Sequence, residues 1–300
     1  MRPIACAALL LGLSLGPILG VSSPAAAEEL RIDTRDGPRT AIIQPGPRGR
    51  APTVIILHGA FISAEYTELW YGFAEAAKQH GFAAAYPRGL GLLWNDGRKG
   101  IWGSSADDVG FLKRLAGELV TRGTADPERL YLAGISNGGM MALRMLCEAP
   151  DAFAGIATII ASMPVGVGAR CGSTVPMSII MFNGTADPLI PYHGGDVGVG
   201  GLEGRVWSVE RSAMFLAQRN GCGALSKAVV SDRVGPDPIR VVKLDWTHCS
   251  SERGITLYRI EGGGHQVFGS TNFLPFLLGS GTRRVSAPDV IMAAFSKAEL

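Results

Sequence analysis

Apolar positions in this chain fall into two kinds of segment that take turns along it. One kind is a short, unbroken run of apolar and often β-branched residues. Thr53-Val54-Ile55-Ile56-Leu57 is the clearest case, and such a run suits a strand covered on both faces of a sheet. Phe82 to Tyr86, Arg129 to Ala133, Phe153 to Ala161, Met177 to Phe182, Val241 to Leu244 and Ile255 to Ile260 read the same way. Leu30 to Thr34 and Arg39 to Gln44 are short strand candidates ahead of them. The other kind spaces its apolar residues three and four apart. Ala106 to Arg122 puts Val109, Leu112, Leu115, Leu119 and Val120 on one stripe, which predicts a helix packed along one side. Tyr66 to Lys78, Met140 to Leu146, Val206 to Arg219 and Pro288 to Glu299 are further predicted helices. Strands alternating with helices imply an α/β fold, a doubly wound and mostly parallel sheet with helices on both faces. Ligands bind such sheets beyond the C-terminal strand ends. The polar, glycine-rich stretches His58 to Ser63, Arg88 to Ser105, Asn183 to Gly204 and Gly262 to Ser270 fall at those ends.

The first 27 residues do not fit that alternation. Arg2, an apolar run from Ile4 to Val21 and Ala25-Ala26-Ala27 form a charged, an apolar and a small-residue region in order. That is the layout of a secretory signal peptide cleaved after Ala27. It leaves residues 28–300 as one α/β domain, secreted or periplasmic. A membrane anchor is the competing reading, weakened by Gly12, Gly16, Pro17 and Gly20. Cys6 would leave with the peptide. Cys147, Cys171, Cys222 and Cys249 remain, an even number that suggests two disulfides in an exported chain. Three pairings are possible, and the sequential one closes the shortest loops. Net charge is only +2, and no long basic run points to nucleic acid or an anionic membrane as partner. The oligomeric state is not legible.

Candidate chemistry centres on Gly134-Ile135-Ser136-Asn137-Gly138. A predicted strand precedes it and a helical composition follows, the context of a nucleophile elbow. Gly12-Leu13-Ser14-Leu15-Gly16 fits the same pattern inside the apolar leader, so context and not the pattern carries the inference. A serine hydroxyl needs a base, and the base needs an acid to orient it. In α/β-hydrolases the acid and then the histidine follow the serine in the chain. Asp187 follows the strand Met177 to Phe182, and His265 follows the strand Ile255 to Ile260. His193 and His248 are the other histidines after Ser136, and Asp196 is a second acid. Oxyanion donors would be the N–H of Asn137 and that of Ala60 after His58-Gly59, with the Phe61 N–H as an alternative. Phe61, Trp94 and Tyr192 lie in loops expected over the site, as do Trp102 and Trp207, and are candidates to contact substrate. The competing reading makes these aromatics core or loop anchors. Asp107 and Asp108 open a helix, where end charge and loop hydrogen bonds account for them. None of this chemistry calls for a metal or cofactor.

Several of these segments together resemble one family. Leu57-His58-Gly59, Tyr86-Pro87-Arg88-Gly89, Trp94-Asn95-Asp96-Gly97-Arg98, Gly134 to Met141, Gly184-Thr185-Ala186-Asp187-Pro188, Pro191 to Gly195 and Gly262-Gly263-Gly264-His265 look like the single-domain polyhydroxybutyrate depolymerases and related feruloyl or acetylxylan esterases. The resemblance covers about residues 30 to 275. It implies an α/β-hydrolase fold and a triad of Ser136, Asp187 and His265 that splits a carboxylic ester through an acyl-enzyme. It also implies a disulfide from Cys222 to Cys249, beside Trp246. Two departures flank the site: Gln266-Val267-Phe268-Gly269 where the family often has Trp-Pro-Gly, and Ala60 where a cysteine often stands. Short-chain or hydroxyalkanoate esters, as small molecules or soluble oligomers, are the implied substrate. Hydroxycinnamate or acetyl esters of plant polysaccharide are the nearest alternative, and a non-catalytic exported binding protein is the rival of another class.

Overall fold

The computed structural model describes residues 27–47, 49–100, 103–172, 175–232, 239–251 and 253–297. Most of the predicted leader, and Trp102, lie outside them. In chain order the strands are β1 Glu28–Thr34, β2 Gly37–Gln44, β3 Ala51–Leu57, β4 Ala83–Pro87, β5 Ala125–Ile135, β6 Gly155–Ile159, β7 Ser178–Gly184, β8 Gly195–Asp196, β9 Arg205–Val206, β10 Ala224–Ser231, β11 Arg240–Thr247 and β12 Ile255–Glu261. The helices are α1 Ala64–Trp70, α2 Phe73–His80, α3 Asp108–Thr121, α4 Asn137–Glu148, α5 Val165–Gly168, α6 Val209–Arg219, α7 Pro275–Leu278 and α8 Ala287–Lys297.

Ten strands form one sheet in the order β1-β2-β4-β3-β5-β6-β7-β12-β11-β10. From β4 to β12 every neighbouring pair is parallel. An antiparallel pair extends the sheet at each end. The parallel strands are the continuous apolar runs because helices cover both their faces. α3, α4 and α6 bury Phe111, Leu115, Met145 and Leu216 on one face, and α2 and α8 bury Phe73, Ala77, Ile291 and Phe295 on the other. This is the α/β-hydrolase architecture that the pattern and the resemblance led us to expect.

Three differences from the sequence reading have physical causes. The single helix expected over Tyr66 to Lys78 is two, broken where Gly72 takes φ 81°. Strand β10 was not foreseen: it is an edge strand whose central residues are exposed, so it carries no core-facing alternation. The β8–β9 pair, α5 and α7 are too short to leave a period in the sequence. Both disulfides are present with sequential pairing, Cys147–Cys171 and Cys222–Cys249. Their ends are 24 and 27 residues apart, and the chain-entropy account values closing such a loop at about 3 kcal/mol each. The first ties the C-terminal end of α4 to the segment after α5.

Candidate active site

At the end of β5 the backbone reverses over one residue. Ser136 has φ 54° and ψ −117°, a left-handed conformation that is strained by roughly 1–3 kcal/mol for a residue with a Cβ. The surroundings hold it there. Its N–H donates to the Ile159 carbonyl at 2.8 Å, and its own carbonyl accepts from the Met140 N–H at 3.0 Å. A Cβ at position 138 would stand 2.5 Å from the His58 carbonyl oxygen and 2.6 Å from that of Leu57, and one at 134 would strike the Gly138 carbonyl. The glycines two before and two after the serine are therefore what lets β5, α4 and the end of β3 approach this closely.

β7 and β12 are adjacent and parallel, so their C-terminal loops emerge side by side. One delivers Asp187 and the other His265. The Asp187 carboxylate is almost wholly buried. Its Oδ1 accepts the Leu189 and Ile190 N–H groups at 2.8 and 2.9 Å. That leaves Oδ2 for His265 Nδ1, at 2.7 Å. With Nδ1 donating to the carboxylate, Nε2 is the free acceptor, and it stands 3.0 Å from Ser136 Oγ. His193 and Asp196 are exposed on the loop beyond. His193 packs its ring edge-on against Tyr192, and Asp196 pairs with Arg205 at 3.1 Å. His248 adjoins the Cys222–Cys249 bridge. None of the three takes part in the Ser136–His265–Asp187 hydrogen bonds.

The loop that carries Ala60 is set by a buried histidine. His58 Nε2 accepts the Gly89 N–H at 2.9 Å, so Nδ1 carries the proton and donates to the Gly59 carbonyl at 2.8 Å. The same carbonyl also accepts from the Ile62 N–H at 3.2 Å. A peptide plane is rigid, so fixing the Gly59 carbonyl also fixes the Ala60 N–H, which points the opposite way. Burial pushes the His58 ring below the ordinary histidine pKa. The Gly59 hydrogen bond and the charge of Glu65 oppose that shift, and the charge of Arg39 adds to it. The alternative donor, Phe61 N–H, is spent on the Leu92 carbonyl at 2.9 Å. Among the described residues the Ala60 and Asn137 N–H groups have no internal acceptor.

A cavity of about 570 Å³ opens over Ser136, lined by Ala60, Phe61, Asn137 and His265 among others. That is within the range of small-molecule sites. Most of its wall is apolar: Ile62, Tyr71, Met140, Leu189, Ile190, Phe273 and Leu278. Apart from Met140, which lies in the Gly134 to Met141 segment, these residues carry no motif, and the sequence reading missed them. Of the aromatic candidates, Phe61 is exposed at the rim. Trp94 lines the wall but is mainly an anchor, buried against Phe111 with its ring N–H on the His58 carbonyl at 3.1 Å. Tyr192 is corrected: it does not line the cavity, because its ring is buried and its hydroxyl donates to Glu210 at 3.2 Å. Trp207 is likewise packed on Phe215. The Asn137 side chain was also missed. It accepts from the Trp94 N–H at 2.8 Å and donates to the Trp94 carbonyl at 3.0 Å and to Asp96 at 2.6 Å. Asp96 in turn pairs with Arg98 at 2.8 Å, so the loop from β4 to α3 is bound to the residue after the serine. Asp107 caps α3 on the Gly110 N–H, and Asp108 is buried against Arg39 at 2.9 Å, the structural roles expected of both.

Fold and site together define an α/β-hydrolase with a serine, histidine and aspartate in hydrogen-bonding line. Comparison with known proteins sharpens the class. The profile of the prolyl oligopeptidase family matches residues 88–165. The putative esterase NocK of Nocardia uniformis subsp. tsuyamanensis is 30% identical over 253 residues, 81% of this chain and 73% of that protein. Feruloyl esterase B of Piromyces equi is 32% identical over 151 residues, 48% of this chain and 28% of the relative. A poly(3-hydroxybutyrate) depolymerase of Ralstonia pickettii is 31% identical over 122 residues, 37% of this chain and 25% of the relative. The chain thus spans about a quarter of the length of the last two. It belongs to the α/β-hydrolase family of carboxylic-ester hydrolases to which these esterases and depolymerases belong.

Proposed function

We propose that this protein is an exported serine esterase for short-chain or hydroxyalkanoate esters, working through an acyl-enzyme on Ser136. The observation that carries the reading is the line of two hydrogen bonds from Asp187 through His265 to Ser136, open to the cavity. Ser136 Oγ attacks the ester carbonyl carbon as His265 Nε2 takes its proton. Asp187 keeps the ring in the required tautomer and stabilises the imidazolium. The carbonyl oxygen becomes an oxyanion and accepts the Ala60 and Asn137 N–H groups, at the N-terminus of α4, where the helix dipole favours negative charge. Collapse expels the alcohol, which takes the proton from His265. Water then attacks the acyl carbon with His265 as base, and the acid leaves as Ser136 recovers its proton. The apolar cavity wall supports an aliphatic substrate. Export is supported by the apolar leader ahead of residue 28 and by the two disulfides. On this reading residues 1–27 are removed and residues 28–300 are the catalytic domain.

Ser136→Ala should lower kcat/KM for C2 to C4 nitrophenyl esters by on the order of 10³-fold or more with an unchanged circular dichroism spectrum. A serine-directed phosphonate should label the wild type at Ser136. Retained activity in the variant would overturn the assignment. Hydroxybutyrate oligomers assayed beside methyl ferulate test the substrate: faster ferulate turnover moves the reading to a feruloyl esterase, and no turnover of any ester moves it to a non-catalytic role.

A further inference from the structure

The segment after His265 loops away from the sheet and returns to it, and one side chain clamps both limbs. Gln266 is 3% exposed. Its Nε2 donates to the Phe273 carbonyl on the outgoing limb and to the Gly279 carbonyl on the returning limb, both at 2.8 Å. Its Oε1 accepts the Phe273 N–H at 2.8 Å. All the hydrogen-bonding capacity but one acceptor lone pair is thus used on a single loop. Backbone bonds finish the seam: the His265 N–H donates to Leu278 at 2.6 Å and the Gly264 N–H to Ser280 at 2.8 Å.

What this loop presents to the cavity is apolar. Phe273, Leu274 and Leu278 line it, and Phe273 packs edge-on against Tyr66 of α1. Elsewhere on the loop the Gly269 N–H donates to Thr282 at 2.9 Å and Arg283 to Thr271 Oγ1 at 3.0 Å, neither on the Phe273–Leu278 stretch. α7 is a single turn, entered through Leu274 at φ 43°, and Phe276 and Leu277 are exposed.

We infer that Gln266 is a positioning residue for substrate selectivity: its carboxamide sets where the Phe273–Leu278 wall stands relative to His265, and so how long an aliphatic group fits beside Ser136. This rests on the ester-hydrolase reading above. Gln266 touches no reacting atom. It acts through the wall, so its effect should depend on substrate length. With the clamp intact, a short chain is held against a fixed surface and a long chain meets that surface as an obstacle.

Gln266→Met keeps the length of the side chain and removes all three hydrogen bonds. In a nitrophenyl ester series from C2 to C12, the ratio of kcat/KM for C4 over that for C12 should fall at least fivefold in this variant. The change should lie mainly in KM, with kcat for the acetyl ester, too short to reach the wall, within about twofold of the wild type. Gln266→Glu retains an acceptor for the Phe273 N–H but turns its second oxygen on the Phe273 and Gly279 carbonyls in place of both donors, and should lower the ratio at least as far. Amide hydrogen exchange at Phe273 and Leu278 should quicken in Gln266→Met while exchange in β5 stays unchanged. A merely structural residue would lower activity equally for all chain lengths, and that uniform loss, or an unchanged ratio, overturns the proposal. If Gln266→Met fails to fold, Gln266→Glu decides by the same ratio. A folded wild type that hydrolyses no ester sinks the esterase reading itself, and the selectivity role with it.

Discussion

Ser136 and His265 meet at 3.0 Å, yet the segments that carry them are built differently. The serine's turn is fixed by backbone. A strand end, a helix start and two glycines bring it against the carbonyls of Leu57 and His58, with no room for alternatives. The histidine's loop is fixed largely by side-chain hydrogen bonds. Asp187 holds the ring, and Gln266 ties down the limbs that follow. The first kind of support either forms or does not. The second can be loosened one hydrogen bond at a time, so catalysis and selectivity can be altered there with the sheet intact.

Asp187→Asn tests this contrast with the largest expected effect. An amide can still accept the Leu189 and Ile190 N–H groups but no longer favours the required tautomer. Activity should fall by on the order of 10⁴-fold, and thermal unfolding should move little. A loss below about tenfold would show that His265 is held correctly without the carboxylate.

Gly138→Ala makes the matching perturbation on the serine's side. Its Cβ would meet two main-chain carbonyls, neither of which can swing aside. Overpacking of this sort is worth about 1–3 kcal/mol. Stability and activity should therefore fall together, as read by urea midpoint and ester turnover. If activity vanishes with stability untouched, the elbow is more pliable than its contacts imply.

The same contrast decides what was legible in the sequence. Backbone-determined features announce themselves, because only glycine fits at 134 and 138 and only a buried run suits β3. Asp187 and His265 were readable for a related reason: each follows directly on a strand. The two disulfides followed from cysteine parity and loop length. The cavity wall was not readable. Phe273, Leu274 and Leu278 reach the site through a clamp on Gln266, and nothing in a glutamine's neighbours tells which carbonyls it will find. Tyr192 was misplaced for the converse reason: it follows Asp187 by five positions, but the chain turns its ring inward to Glu210. Trp94 lies between these cases, since its loop was recognised but its fastening to His58 and Asn137 was not.

The smallest effect is also the one that links the two supports. His58 belongs to the backbone-built side, yet it fixes the Ala60 N–H through a side-chain hydrogen bond. Its ring is buried, and desolvation, with a lesser contribution from Arg39, outweighs the Gly59 bond and Glu65 to lower its pKa. In the unfolded chain the ring takes up a proton near the ordinary histidine value of about 6.5. The folded ring resists, since a protonated Nε2 could no longer accept from Gly89. Stability from the neutral ring is therefore complete above the unfolded pKa and is lost as pH falls from there toward the lowered folded value. Urea midpoints measured from pH 7.5 down to pH 5 should decline more steeply for the wild type than for His58→Gln, which does not titrate. Parallel midpoint curves for the two proteins would mean that the folded His58 ring takes up its proton as readily as the unfolded one. The Ala60 N–H would then owe its direction to the turn alone.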